Sequence, residues 1–98
     1  MFIHIGVHRP RPGKEKPLYD CMMRARAAIM DAPGCISVGV FRNAETGELA
    51  GHAIWESREA AAAAMPAFAE AIKDADFDDW EDEPPIVYRF EEVSHTGV

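Results

Sequence analysis

Cysteine is scarce in this chain, and both a long apolar run and a surplus of base are missing. The two cysteines, Cys21 and Cys35, are too few and too far apart for a disulfide framework or a zinc site. They read as semi-buried thiols in a reducing compartment, with an oxidation-sensitive role as the other reading. No run approaches the roughly 18–20 apolar residues that span a bilayer, so no membrane partner is expected. The start, Met1-Phe2-Ile3-His4-Ile5, has no basic stretch ahead of an apolar block and a cleavage site. It reads as a strand rather than a signal peptide, and the expected location is the cytoplasm. Lysine and arginine number 10 against 17 aspartates and glutamates, and the net charge of −7 argues against a nucleic-acid partner.

What is present suits one small domain over residues 1–98. Hydrophobic residues make up 48% of the chain, too many for a disordered one. A chain this short buries only roughly 60–65% of the surface its unfolded form exposes, which makes a shared apolar face with a second copy valuable. Charge is unevenly spread. Residues 9–26 hold Arg9, Arg11, Lys14, Lys16, Arg24 and Arg26 against Glu15 and Asp20, whereas residues 74–83 hold seven acids and no base. The two blocks either face each other or are solvated separately.

Apolar periodicity supplies the order of elements. Ile3, Ile5 and Val7 alternate with Phe2, His4, Gly6 and His8, so residues 2–8 read as a strand that Pro10, Pro12 and Gly13 end. Leu18, Met22, Ala25 and Ile29 share one helical face between Pro17 and about Ala32, where Pro33-Gly34 stops the helix. Residues 35–42 form a second strand with Ile36, Val38 and Val40 on one side. A hairpin with Gly47 in the left-handed region leads to a third strand over residues 49–56. Ser57 caps a second helix that begins with the run Ala60 to Ala64, and Pro66 is expected to kink or restart it. In a pocket lined by that helix, the small alanine side chains leave volume. Residues 74–83 read as irregular, anchored by Phe77 and Trp80. They lack the turn glycine and the terminal-glutamate spacing of a calcium loop, and suit a solvated loop over a pocket mouth that gates ligand entry. A fourth strand follows over residues 86–93, and residues 94–98 read as a frayed tail.

The order β-α-β-β-α-β specifies an α+β, ferredoxin-like fold with an antiparallel sheet and both helices on one face. The first, third and fourth strands are apolar on both faces, so the second face is expected to be covered by another copy, a homodimer.

Three features carry a resemblance to a known family. They are the first strand leading to Pro12-Gly13, the turn Pro33-Gly34-Cys35 before the second strand, and the run Ala53-Ile54-Trp55-Glu56-Ser57-Arg58-Glu59-Ala60. Together they make the chain similar to the antibiotic biosynthesis monooxygenase superfamily of dimeric α+β barrel proteins over roughly residues 2–93. The resemblance implies two sheets packed back to back and, in each subunit, a small-molecule pocket between sheet and helices. Oxygenases of this kind, some of which use no metal or flavin, carry an Asn four residues before the strand-end Trp, where this chain has Gly51. Haem-degrading relatives use an Asn, a Trp and a His at positions matched here by Gly6, Ala64 and the neighbourhood of Asp74. The resemblance therefore does not extend to haem degradation, because none of these residues can ligate iron or press on a porphyrin.

Candidate chemistry rests on His4 and His8, which share a face of the first strand, and on His52 of the third. In such a fold those strands are expected to be neighbours running parallel, so that the imidazoles converge. A neutral His can remove a phenol or enol proton near pH 7, leaving an anion electron-rich enough to react with oxygen, and Arg89 can stabilise that anion. No metal is expected, since His4 and His8 lie about 13 Å apart along a strand. Trp55 reads as a core aromatic or a wall that stacks on a flat ligand. With Gly51, Gly6, Arg89, Phe77 and Trp80 it completes the expected substrate-contacting set. The leading expectation is a cofactor-independent monooxygenase of a small aromatic or quinone-like compound. The alternative is a dimer of the same fold that binds a ligand without changing it.

Overall fold

A four-stranded antiparallel sheet in the order β2-β3-β1-β4 forms the frame of the protein. The computed structural model describes residues 1–93; the expected tail, residues 94–98, lies outside them. The strands are β1 (Phe2–His8), β2 (Cys35–Arg42), β3 (Leu49–Trp55) and β4 (Ile86–Glu91), and the helices are α1 (Glu15–Ile29), α2 (Arg58–Ala71) and the short α3 (Phe77–Trp80). This is the α+β, ferredoxin-like order expected, with one correction inside it. The first and third strands are neighbours but run antiparallel, with Phe2 opposite Trp55 and His8 opposite Leu49. The crossover through α1 makes β1 and β2 parallel, and the tight hairpin then reverses β3 between them.

Alternation divides the sheet into two faces. Leu49, Ala53 and Trp55 of β3 are buried beneath the helices, and Phe2 lies beside Trp55 on the same side. A core of Phe2, Ile29, Ala53, Trp55, Ala61 and Ala64 fills one end, and Leu18, Met22 and Leu49 fill the other. The opposite face carries Ile3, Ile5 and Val7 of β1 with Ile86, Tyr88 and Phe90 of β4. It stays open: Phe90 is 53% and Phe41 61% exposed.

Several local expectations change. A bulge between Cys35 and Ser37 breaks the alternation of β2, so Val38 and Cys35 pack against the core while Ile36 is exposed. Pro66 neither ends nor restarts α2, which runs continuously from Arg58 to Ala71. The carbonyl deprived of its donor belongs to Ala62, which is exposed like Pro66 and open to water. Residues 77–80 form a helical turn rather than irregular chain, capped by Asp76, whose side chain accepts from the Asp79 N–H at 3.2 Å. Ser57 caps α2 as expected, accepting from the Ala60 N–H at 3.1 Å.

Gly34 shows how closely the α1–β2 turn approaches α2. Its φ is +82°, and a Cβ there would stand 2.6 Å from Ala60 Cβ. Gly47 has the same left-handed backbone, φ +79°, but open space around it. Both Gly→Ala substitutions incur the left-handed cost of roughly 1–2 kcal/mol. We expect Gly34→Ala to lose clearly more stability than Gly47→Ala in urea unfolding, and equal losses would show that the turn does not press on α2.

Candidate functional site

A cavity of about 320 Å³ lies between the helix-facing side of the sheet and the three helices. Its floor exists because Gly6 and Gly51 stand opposite each other in the β1–β3 register, leaving bare backbone where two side chains would meet. The space over Gly51 is partly taken by α1, since a Cβ there would stand 3.2 Å from Met22 Cε. A thioether therefore sits where similar oxygenases are expected to offer an amide.

His4 and His8 flank Gly6 on this floor and both line the cavity. His4 lies opposite Arg89 of β4. Burial, and next the nearby Arg89 guanidinium, hold the His4 imidazole below its ordinary value of 6.5. Arg89 itself lines the cavity, and its guanidinium has no ion pair or hydrogen bond among the described residues. The other cation on the lining, Arg26, donates from Nε to the Val38 carbonyl at 3.3 Å. No carboxylate lines the cavity among the described residues, although the chain carries seven more acids than bases.

His8 is held from both sides. Its ring stacks on Phe77 with centroids 5.8 Å apart and planes 29° apart. Its Nδ1 lies 3.0 Å from Oε2 of Glu81, whose other oxygen accepts from the Arg9 backbone N–H at 2.8 Å. Nε2 has no hydrogen-bond partner among the described residues and lies over Gly6, 3.6 Å from where a Cβ would stand.

The acidic block reaches this point because it docks on the basic one. Arg9 pairs with Glu83 at 2.7 Å, Arg11 with Asp82 at 3.2 Å and Lys14 with Asp79 at 3.0 Å. The Arg11 N–H donates to the Trp80 carbonyl at 2.7 Å, and Pro10 forms a bridge with Glu81. The blocks thus face each other within one chain. Phe77 lines the cavity. Trp80 does not, and is corrected from a ligand contact to an anchor, packed edge-on to Phe77 at 5.8 Å and against the Leu18 cluster.

The convergence expected of the three imidazoles fails at His52. Although His52 borders the cavity at the sheet, it pairs with Ile5 and Gly39 and so turns its ring to the open face. There its Nε2 meets the Ser37 hydroxyl at 3.2 Å and its ring lies 5.3 Å from Phe41. Trp55 is wholly buried in the core, borders the cavity, and leaves Nε1 without a partner among the described residues. The alanines of α2 do not open the cavity. Ala61 and Ala64 pack into the Trp55 core, and the lining here is Met65 and Phe68 of α2 with Ile72 just past its end. Cys21 also lines the cavity, but burial pushes its thiol up, away from the thiolate form, as it does for Cys35. Among the described residues no group of His, Cys, Asp and Glu is arranged to hold a metal ion, and no helix is long and apolar enough to cross a membrane.

Residues 1–74 match the antibiotic biosynthesis monooxygenase family. The chain belongs to that family. No curated protein matches it. Solved structures share the fold over nearly the whole chain. Rv0793 from Mycobacterium tuberculosis is 20% identical with a TM-score of 0.81, covering 96% of each chain. A conserved protein from Methanosarcina mazei is 14% identical with a TM-score of 0.81, over 94% of this chain and 92% of its own. A candidate antibiotic biosynthesis monooxygenase from Deinococcus radiodurans is 15% identical with a TM-score of 0.80, over 96% and 94%.

Glu81 is the site neighbour that the sequence reading passed over. It is one of seven acids in a block that the sequence suits either to facing the basic block or to solvation, and only its position one residue after the Trp80 anchor sets it apart.

The lowered His4 value has a thermodynamic consequence. In the unfolded chain His4 takes a proton near 6.5, and in the folded chain only at lower pH. Its contribution to stability is therefore complete above 6.5 and is lost as pH falls from there toward the folded value. Urea unfolding of wild type and His4→Asn across pH 5–8 should show their difference changing below about 6.5 and staying constant above it. An NMR titration midpoint for His4 at or above 6.5 would contradict this.

Proposed function

We propose that this chain is a monooxygenase that oxidises a small aromatic or quinol-like compound without a cofactor, working as a homodimer. The observation that carries the reading is an imidazole nitrogen, His8 Nε2, unpartnered on the floor of an apolar cavity whose lining contains cations and no carboxylate. The cavity's volume falls at the lower end of the range for small-molecule sites, about 300–1,000 Å³.

The chemistry asks little of the protein. His8 Nε2 takes the proton of a phenol or enol, and the resulting anion is favoured by Arg89 on a lining that carries no carboxylate among the described residues. The anion passes an electron to dioxygen, and recombination forms a C–O bond. Loss of water breaks the O–O bond, leaving one oxygen atom as the new carbonyl and the other in water. The substrate supplies the electrons, and His8 returns its proton to the departing hydroxide. His4, held neutral, offers a hydrogen bond to the bound ring, and Trp55 and Phe77 bound the space for a flat molecule.

Oxygen uptake with a panel of hydroquinones and anthrones tests this. We expect turnover by wild type, a loss of about 10²–10⁴-fold in His8→Ala, and an unchanged rate in His52→Ala. Full activity in His8→Ala would sink the mechanism. Saturable binding without turnover would favour the second reading, a ligand-binding dimer, which draws support from Met22 standing over Gly51 in place of a substrate-directed amide.

Support for the homodimer is the open apolar face of Ile3, Ile5, Val7, Ile86, Tyr88 and Phe90, where the Tyr88 and Phe90 rings stack at 6.1 Å. Pairing through this face needs roughly 800 Å² from each copy. Phe90→Glu would bury an unpaired charge there, and light scattering should then report a monomer. A dimer that persists at micromolar concentration would place the interface elsewhere.

A further inference from the structure

Glu81 is the buried charged residue of the described chain, 3% exposed, in a segment whose other carboxylates reach water. Both of its oxygens are occupied, Oε1 by the Arg9 backbone N–H and Oε2 by His8 Nδ1. An ionised carboxylate only accepts hydrogen bonds, so it requires the proton of a neutral His8 to sit on Nδ1. That leaves the lone pair on Nε2, the nitrogen over Gly6 on the cavity floor.

The carboxylate is itself held in place. The Pro10–Glu81 bridge and the bond from the Arg11 N–H to Trp80 pin the backbone on both sides of it. The Arg11 guanidinium adds contacts to the Asp78 and Glu81 carbonyls at 3.1 and 3.3 Å. Phe77, four residues earlier, stacks on the same imidazole and sets its tilt. One short segment thus fixes the ring's plane and its hydrogen-bonding direction.

We propose that Glu81 is a positioning residue. Its carboxylate holds His8 in the Nδ1–H form with Nε2 aimed into the cavity as acceptor for a substrate proton, and the docked acidic segment 76–83 exists to deliver it. The inference rests on the oxygenase reading for its use but not for its geometry. During turnover the substrate proton is held on Nε2 until His8 gives it to the departing hydroxide. Nδ1–H remains bonded to Glu81, whose charge lies beside the imidazolium, and Glu81 takes no proton. The other groups beside His8 are the backbone of Arg9, just past the end of β1, and Leu49 of β3. Arg9 and Arg11 direct their own charges to Glu83 and Asp82 at the surface.

Nitrogen-15 NMR of the histidine-labelled protein at alkaline pH tests this, with the His8 signals assigned by their absence in His8→Ala. Wild type should show a protonated Nδ1 and an unprotonated Nε2. In Glu81→Gln the amide has one acceptor, which the Arg9 N–H occupies, so its NH₂ faces Nδ1 and the ring proton moves to Nε2. Turnover of a hydroquinone should then fall about a hundredfold or more in kcat with KM unchanged, and Glu81→Asp should restore part of the rate. An Nε2–H tautomer in wild type, which needs no variant to fold, would overturn the proposal. So would full kcat in a folded Glu81→Gln protein. Absence of turnover in wild type with every probe would count against the oxygenase reading alone, since the tautomer is still read.

Discussion

Neighbouring side chains of a strand face opposite sides of its sheet, and β1 turns that rule into the plan of the molecule. It lies between β3 and β4, hydrogen-bonded on both edges. A slip of one residue would exchange its faces and disrupt two ladders at once. In the observed register Phe2, His4, Gly6 and His8 face the helices, and Ile3, Ile5 and Val7 face away. The first set closes one end of the core, places two histidines whose Cα atoms lie about 13 Å apart along the strand, and leaves a gap between them where Gly6 meets Gly51. The second set makes a surface that water covers poorly. Site and apolar face are thus two sides of one seven-residue strand.

The segment that follows α2 completes what the strand begins. Its ion pairs to Arg9, Arg11 and Lys14 are exposed, and such pairs contribute about 0–1 kcal/mol each. They align the segment rather than hold it. The lasting attachments are buried or backbone ones: Glu81 to His8 and Arg9, Trp80 to Arg11, and the Phe77 and Trp80 rings against the Leu18 cluster. Opposite charge recruits the segment to the right place, and hydrogen bonding then decides which acid turns inward.

Much of this was legible in one dimension. The strand and helix order, the Leu18–Met22–Ala25–Ile29 face, the Ser57 cap and the Gly47 turn follow from periodicity and local chemistry, because each depends on residues within a few positions of one another. What escaped depends on pairing across the chain. The ring of His52 leaves the cavity because antiparallel pairing sets it opposite Ile5 rather than His4. The bulge at Cys35–Ser37 that exposes Ile36 is a property of the β2–β3 ladder. Glu81 meets His8 across 73 positions of sequence, and only its place directly after the Trp80 anchor distinguishes it from Asp82 or Glu83.

The energetic standing of Glu81 separates architecture from chemistry. A buried carboxylate carries a desolvation cost of several kcal/mol, and an apolar residue of similar volume is often neutral or stabilising in its place. The segment already has apolar anchors in Phe77 and Trp80, so packing alone gives no reason for a charge between the Arg9 amide and an imidazole. The span matched to the family ends at residue 74, and Glu81 and Arg89 lie beyond it. That span supplies β1 with its two imidazoles, and the later residues supply the groups that face them. The fold accounts for where His8 sits, and the later segment accounts for which of its nitrogens meets the cavity.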